Sequence, residues 1–155
     1  MRITLYNTYL NEDSRCNLVK ERSCNYNKVD DLSKPELVCK MMCDVFNQDK
    51  KTEEYAYMIC LNTACRPIGI FEISHGTVNT SLMSTREIFQ KALMCNAVYI
   101  ITTHNHPSGV CKPSRVDDKT TEKIKEAAKL MEIGFLDHII IGKNCYYSYR
   151  EAKKI

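Results

Sequence analysis

The order of elements in this chain predicts an α/β fold, in which a mixed β-sheet is sandwiched by helices. Two continuous β-prone runs, at residues 97–103 and 135–141, suit strands that are buried on both faces. An amphipathic segment of helical length lies between them, at residues 115–132. A pair of strands joined by a turn precedes them, at residues 55–61 and 67–74. This order of strands and helices implies a sheet that is covered by helices.

The first predicted helix covers residues 33–46. Ser33 is a suitable N-cap, Pro35 stands near the first helical position, and Glu36 completes the spacing of a capping box. Apolar residues at helical spacing give this segment one face to bury: Leu37, Met41, Met42 and Val45. We therefore expect this helix to pack on the sheet.

Two further helices are predicted by similar signals. Ser84 and Glu87 have the spacing of a second capping box, which opens a helix that extends to about Cys95. The third helix is the amphipathic segment at residues 115–132, and Gly134 is placed to serve as its C-cap. Both helices would pack on the strands that flank them in sequence.

The two ends of the chain carry weaker signals. Apolar alternation near the N-terminus predicts a short first strand, and residues 145–149 predict a short last one. Residues 11–31 are polar and show no apolar period, which predicts a loop or an extended arm. We therefore divide the chain into an N-terminal arm and helix, residues 1–50, and a core domain, residues 51–155, on which they pack.

The composition indicates one domain with an ordinary core. The chain has 155 residues and a formal net charge of only +3, which is too small to indicate nucleic-acid binding by itself. Its nine cysteines are an odd number without a C-x-x-C pair, which favours free thiols in a reducing compartment. The N-terminus lacks the apolar region of a signal peptide, and no apolar run is long enough to span a membrane. We therefore expect a cytoplasmic protein.

The segment HNHPSGVCKPSRVD, residues 104–117, carries candidate metal ligands. In an extended chain residues i and i+2 point to the same side, so His104 and His106 can present two imidazoles to one point. A proline and a glycine then turn the chain, and Asp117 follows on the first turn of the next helix. Two nitrogens and one carboxylate oxygen leave the fourth tetrahedral position open, which is typical of a catalytic zinc site.

The spacing of the whole segment is that of the JAMM signature: His-x-His, seven residues, Ser114, two residues and Asp117. The wider phrase HNHPSG-x-x-x-PS-x-x-D resembles the JAB domain of RadC-like proteins. The resemblance covers about residues 52–150 and includes EYAYMICLN (54–62), GTVN (76–79), REIFQKAL (86–93), NAVYIITTHNHPSG (96–109) and FLDHIIIG (135–142). It implies a JAB/MPN-like fold, more distantly similar to the cytidine-deaminase-like fold. No stretch resembles the helix-hairpin-helix region of full-length RadC-like proteins, so the chain is similar to a stand-alone short form.

The resemblance implies a role for each residue of the motif. His104, His106 and Asp117 would hold a zinc ion (Zn2+) as the cofactor. Ser114 would donate a hydrogen bond to the oxyanion of a tetrahedral intermediate. Together they imply a hydrolase in which the metal activates water.

The resemblance also implies a glutamate as general base, which takes a proton from water and passes it to the leaving amine. By analogy with the related MPN⁺ enzymes, this glutamate opens the first core strand. Glu54 has that position in the sequence, immediately before the strand at residues 55–61. Glu72, inside the second core strand, and Glu53, beside Glu54, are the alternatives.

Simpler interpretations exist for several of these residues. Ser114 and Asp117 have a spacing close to that of a capping box, which needs no metal. His138 suits a structural or outer-shell role better than direct ligation, and His75 suits a surface role. Cys111 lies in the motif loop, where it is either a solvent-facing thiol or a soft ligand that reaches the metal.

Three functional hypotheses follow. The leading one is a zinc-dependent hydrolase of the metallopeptidase or isopeptidase type, whose partner is a peptide or an isopeptide-linked protein. The second is a DNA-repair-associated factor, since RadC-like proteins carry a DNA-repair label, but the nearly balanced charge gives nucleic acid little support. The third is a non-catalytic protein-interaction module. The identity of the substrate and the oligomeric state are left open by the sequence.

Overall fold

A computed structural model describes residues 1–76 and 83–155 of the chain. Its strands are β1 (Arg2–Leu10), β2 (Cys16–Asn25), β3 (Tyr55–Leu61), β4 (Pro67–His75), β5 (Tyr99–Asn105), β6 (Gly134–Gly142) and β7 (Cys145–Ser148). Its helices are α1 (Pro35–Phe46), α2 (Thr85–Met94) and α3 (Arg115–Leu130), with a 3-10 turn at Gln48–Lys50. The strands form one sheet in the order β2-β1-β4-β3-β5-β6-β7. The pairs β1/β4 and β5/β6 are parallel and the other neighbours are antiparallel, so the sheet is mixed.

The central strands of the sheet are buried on both faces between helices. On one face, apolar residues of α1 pack against alternate residues of the central strands: Val38, Met41, Met42, Phe46, Ile59, Ile101 and Ile139. On the other face, α2 and α3 cover the intervening residues: Ile88, Ala92, Ile124, Ala128, Met58 and Ile100. Neighbouring residues of β5 thus belong to opposite cores, which is why the sequence of this strand does not alternate between apolar and polar residues. The predicted α/β sandwich is confirmed.

The prediction of a loop or arm over residues 11–31 is wrong for much of that stretch. β2 lies within it and pairs with β1 in an antiparallel hairpin, from Arg2 opposite Asn25 to Leu10 opposite Cys16. β2 is the edge strand of the sheet and is exposed along nearly its whole length. Most of its side chains are polar or charged, as is common at sheet edges, and the adjacent Leu18 and Val19 give no apolar period to detect.

The starts of α1 and α2 differ in part from the prediction. α1 begins at Pro35 with Lys34 as its N-cap, and within the described residues no side chain caps it. The capping box predicted for Ser33 and Glu36 is therefore wrong. Ser84 is the N-cap of α2, as predicted, but its side chain makes no capping hydrogen bond.

The predicted C-cap of α3 is wrong. The C-cap is Met131, and Glu132 takes the left-handed conformation that turns the chain, with φ of 54°. Gly134 is instead the first residue of β6, opposite Tyr99 of β5. A Cβ atom at Gly134 would lie 2.4 Å from Cδ1 of Tyr99, so the glycine lets the aromatic ring pack over the backbone.

The end of β5 and the start of α3 place the motif residues. The sequence predicted that the strand ends at residue 103, before His104. β5 in fact continues through Asn105, so His104 lies inside the strand. The parallel neighbour β6 extends beside it, and the backbone N–H of His106 donates to the carbonyl of Ile141 at 3.0 Å. The motif loop then leads to α3. The candidate site is therefore outside the carboxyl ends of two parallel strands, where α/β sheets commonly bind ligands.

Candidate metal centre

Three side chains from β5, its loop and α3 converge on one point: His104, His106 and Asp117. The Nε2 atoms of His104 and His106 lie 3.1 Å apart. Oδ1 of Asp117 lies 3.2 Å from Nε2 of His104, and Oδ2 lies 3.4 Å from Nε2 of His106. The side chain of His104 is 2% exposed and the other two are 14% exposed. In the described parts of the chain, this is the one cluster of three or more His, Cys, Asp or Glu side chains with metal-ligand spacing.

The spacing of these atoms suits a tetrahedral metal ion. Zinc with ligand bonds of about 2.0–2.1 Å holds its ligand atoms about 3.3 Å apart in a tetrahedron. The observed separations of 3.1, 3.2 and 3.4 Å are close to that value. Lone pairs of nitrogen and oxygen at such distances repel one another unless a proton or a cation lies between them. The residues present therefore fit a zinc ion.

The ring nitrogens that face away from the cluster have their own hydrogen-bond partners. Nδ1 of His106 lies 2.8 Å from the carbonyl oxygen of Val110, which can only accept. Nδ1 of His106 must therefore carry a proton, and in the neutral ring its Nε2 presents a lone pair to the cluster. Nδ1 of His104 lies 2.8 Å from Nε2 of His138.

The carboxylate and the imidazoles shift each other's proton affinity. Burial acts to raise the pKa of Asp117, but the adjacent rings of His104 and His106 outweigh burial by stabilising the carboxylate, and they hold that pKa well below its usual range. The hydrogen bond with Asp117 in turn raises the pKa of His106, although burial opposes this. Asp117 is therefore ionised at neutral pH. A cation bound at this point would displace the proton that His106 otherwise gains.

Ser114 has the capping role that its spacing predicts. Its Oγ accepts from the backbone N–H of Asp117 at 3.2 Å, and its own N–H donates to Oδ2 of Asp117 at 2.7 Å. This capping box fixes the carboxylate at the first turn of α3. The hydroxyl of Ser114 accepts in the box, so its own proton can be donated to a ligand beside the cluster.

The three candidate glutamates have different surroundings. Ala56 of β3 pairs with His104 of β5, so Glu54, two residues earlier, is on the same face of the sheet as the cluster. The charge of Glu54 contributes to the raised pKa of His106. Glu72 accepts a hydrogen bond at 3.2 Å from the hydroxyl of Tyr57, which belongs to the core under α1 on the opposite face. Glu53 pairs with His75. Glu54 is therefore the candidate that faces the cluster.

The backbone around Glu54 is held by hydrogen bonds from other elements. Nδ2 of Asn105 donates to the carbonyl of Glu53 at 2.9 Å, and the N–H of Tyr55 donates to Oδ1 of Asn105 at 2.9 Å. Nε2 of the buried Gln48 donates to the carbonyl of Tyr55 at 3.0 Å. Because Asn105 stands between the two histidines in sequence, one strand end positions both the imidazoles and the segment that carries Glu54. This role of Asn105 is not predicted from the sequence, although the residue lies in the motif.

Other histidines and the cysteine of the motif loop lie outside the cluster. His75 is on the exposed surface, where its ring stacks on Tyr55 with centroids 4.1 Å apart. His138 is completely buried behind His104. Cys111 is half-buried beside Cys145. Burial and, to a smaller extent, a hydrogen bond with the thiol of Cys145 raise the pKa of Cys111. The solvent-facing thiol expected for Cys111 is thus partly covered.

A glycine at the end of β6 allows the motif loop to lie against the sheet. A Cβ atom at Gly142 would be 2.5 Å from the carbonyl oxygen of Gly109, 2.7 Å from Sγ of Cys145 and 3.0 Å from the N atom of Cys111. Two of these atoms belong to the backbone of the loop. Gly109 itself has φ of 78°, a conformation that favours glycine.

We expect Gly142→Ala to displace the motif loop and to weaken zinc binding. Overpacking of this kind typically costs about 1–3 kcal/mol of unfolding free energy. Urea unfolding and chelator competition for zinc would measure the two effects. Gly69→Ala is the matched control, because a Cβ there meets Sγ of Cys95, at 2.8 Å, and no residue of the loop. An equal loss of zinc affinity in both variants would show that general destabilisation, and not the loop, is responsible.

The fold and the donor set together define an α/β domain with the metal-ligand pattern of JAMM-type proteins. The sequence model of the RadC-like JAB domain family matches residues 32–154 of this chain. This chain belongs to the RadC-like JAB domain family. The match begins ahead of α1, so it includes the helix as well as the core strands and the motif. Residues 77–79 of the stretch GTVN, which contributes to the resemblance, lie outside the described residues.

Two relatives show how far the similarity extends. The chain is 45% identical over 105 residues to a UPF0758 protein of Pasteurella multocida (strain Pm70). The aligned region covers 68% of this chain and 47% of the relative. It is 43% identical over 120 residues to a UPF0758 protein of Streptococcus gordonii (strain Challis), which covers 77% of this chain and 52% of the relative. The chain thus spans about half the length of the curated relatives it matches. No helix in residues 1–76 and 83–155 has the length and apolar character needed to cross a membrane.

Proposed function

We propose that this chain is a zinc-dependent hydrolase of the metallopeptidase or isopeptidase type. The observation that carries the proposal is the convergence of His104, His106 and Asp117 at tetrahedral spacing, with Glu54 on the same face of the sheet. Zinc bound by these three residues would polarise a scissile carbonyl and lower the pKa of a water molecule. Membership of the RadC-like JAB domain family supports the proposal.

Two residues of the chain act on the reacting groups in this proposal. Glu54 takes a proton from the attacking water and passes it to the nitrogen of the leaving amine, so that the amide bond breaks as a neutral amine departs. The hydroxyl of Ser114 donates a hydrogen bond to the oxyanion of the tetrahedral intermediate and keeps its proton. The capping box of α3 keeps Ser114 and Asp117 together, so one helix start contributes both a ligand and an oxyanion donor.

The surface beside the cluster suits a peptide-like partner. Val110 in the motif loop and Val116 on the first turn of α3 are 59% and 57% exposed. In the proposed function these two side chains would contact the side chains of a chain bound at the cluster. The substrate we propose is a peptide or an isopeptide-linked protein. The net charge of +3 gives a nucleic-acid partner no comparable support.

The experiment is a cleavage screen with the zinc-loaded protein. Peptide libraries and isopeptide-linked protein conjugates are incubated with the protein, and the products are identified by mass spectrometry. Cleavage that stops when zinc is removed by a chelator and returns when zinc is added would support the proposal. If the protein binds zinc but cleaves no member of either set, the non-catalytic interaction module becomes the better description.

A further inference from the structure

A line of hydrogen bonds runs from the back of His104 into the core. Nδ1 of His104 lies 2.8 Å from Nε2 of His138 on β6, and Nδ1 of His138 lies 2.6 Å from Oγ1 of Thr121 on α3. The hydroxyl of Thr121 donates to the carbonyl oxygen of Asp117, one helical turn earlier, at 2.7 Å. The line thus begins behind one candidate ligand and ends at the backbone of another.

The direction of each hydrogen bond in this line follows from the number of protons. The hydroxyl of Thr121 has one proton, which it donates to a carbonyl that can only accept. Its oxygen must therefore accept from Nδ1–H of His138. Nε2 of His138 then carries a lone pair and accepts a hydrogen bond from Nδ1–H of His104. As a result, Nε2 of His104 is unprotonated in the neutral ring and faces the cluster.

The surroundings of His138 favour this neutral arrangement. The residue is completely buried, and its ring stacks on Tyr149 with centroids 5.1 Å apart and an angle of 7° between the planes. A charged imidazolium is disfavoured in a position that is completely removed from water. A neutral ring with one donor and one acceptor matches the two partners that it contacts.

We propose that Thr121 and His138 are positioning residues that fix His104 in the tautomer whose Nε2 binds zinc. The inference rests on the zinc site of the proposed function and adds two residues to it that do not touch the metal. Groups that hold a ligating imidazole in this way typically contribute about 10–100-fold to metal affinity. The two residues therefore tune zinc binding from inside the core.

The test compares isosteric substitutions of two buried threonines. Thr121→Val removes the acceptor of His138, and we expect zinc affinity to fall about 10–100-fold in chelator competition. Thr121→Ser keeps the hydroxyl and should restore the affinity. Thr102→Val is the matched control, because Thr102 is also buried and pairs with His138 across β5 and β6, but its hydroxyl has no hydrogen-bond partner among the described residues.

A second measurement reports the tautomers directly. Long-range ¹⁵N–¹H correlation spectra of the metal-free protein distinguish a proton on Nδ1 from one on Nε2. We expect Nδ1–H for His104 in the wild type and in Thr102→Val, with a shift towards Nε2–H in Thr121→Val. Thr121→Ala, which removes the hydroxyl without placing a branch against His138, should give the same shift.

The outcomes separate this inference from the proposed function. Unchanged zinc affinity and unchanged tautomers in Thr121→Val, or an equal loss of affinity in Thr102→Val, would overturn the positioning role. Neither measurement needs a substrate, so an absence of hydrolysis would count against the proposed function alone. If the wild type bound no zinc, the proposed function would fail and the tautomer spectra would still decide the role of Thr121.

Discussion

His106→Ala should release zinc from the purified protein. The wild type is expected to retain about one zinc ion per chain, since three protein ligands and an open fourth position are typical of catalytic zinc sites. The variant loses one of the two imidazoles that converge on Asp117. We expect affinity to fall by more than about 100-fold, the upper end of what a change behind a ligand costs. Elemental analysis and chelator competition would measure the loss.

His75→Ala is the control for this substitution. His75 is also a partly exposed histidine, but it pairs with Glu53 on the surface and lies outside the cluster. It should keep the zinc content of the wild type. Added zinc should raise the melting temperature of the wild type and of His75→Ala, but not that of His106→Ala, because a ligand stabilises only the folded state that binds it. Equal zinc content in the wild type and His106→Ala would exclude the proposed ligand set.

Glu54→Gln should abolish most turnover while zinc stays bound. The amide keeps the shape of the side chain and removes its ability to take a proton from water. Loss of a general base typically lowers kcat by about 10²–10⁴-fold. Because Glu54 is not a ligand in the proposed site, the zinc content should match that of the wild type. The measurement is steady-state cleavage of a substrate from the screen, with elemental analysis of the same samples.

The neighbouring glutamates provide matched controls for this second prediction. Glu53→Gln changes a residue that pairs with His75, and Glu72→Gln changes one that accepts from Tyr57 on the opposite face of the sheet. Both variants should retain most of the wild-type kcat. Full turnover in Glu54→Gln would remove Glu54 from the mechanism. Loss of turnover in Glu72→Gln alone would mean that the general base lies on the opposite face of the sheet from the cluster.

The sequence predicted the central part of the fold well because both faces of that part are buried. The runs that became β3, β5 and β6 are β-prone and mostly apolar. Two of the four apolar residues predicted for the buried face of α1, Met41 and Met42, lie fully in the core. Prediction failed at β2, which is exposed at the sheet edge and carries no apolar pattern. It also failed at Gly134. The sequence predicted that this glycine is the C-cap of α3, but its missing side chain instead leaves room for the ring of Tyr99.

The sequence by itself determined the chemistry that this protein can offer. The His-x-His pair, the serine and the aspartate are all local in one segment, so spacing was enough to predict which residue types would meet. The three donor side chains do converge in the structure, at distances that suit zinc. Local spacing carries this information because a strand end and a helix start each constrain where neighbouring side chains point.

Only the tertiary structure decided which distant residues join that segment. The register between β3 and β5 places Glu54 on the face of the cluster, and the pairing of β4 with β3 places Glu72 on the other face. The parallel pairing of β5 with β6 and the packing of α3 bring His138 and Thr121 behind His104. These contacts join residues that are 17 to 50 positions apart in the chain. A single sequence contains no local pattern for them, because strand register and helix packing are fixed by the burial of the whole sheet.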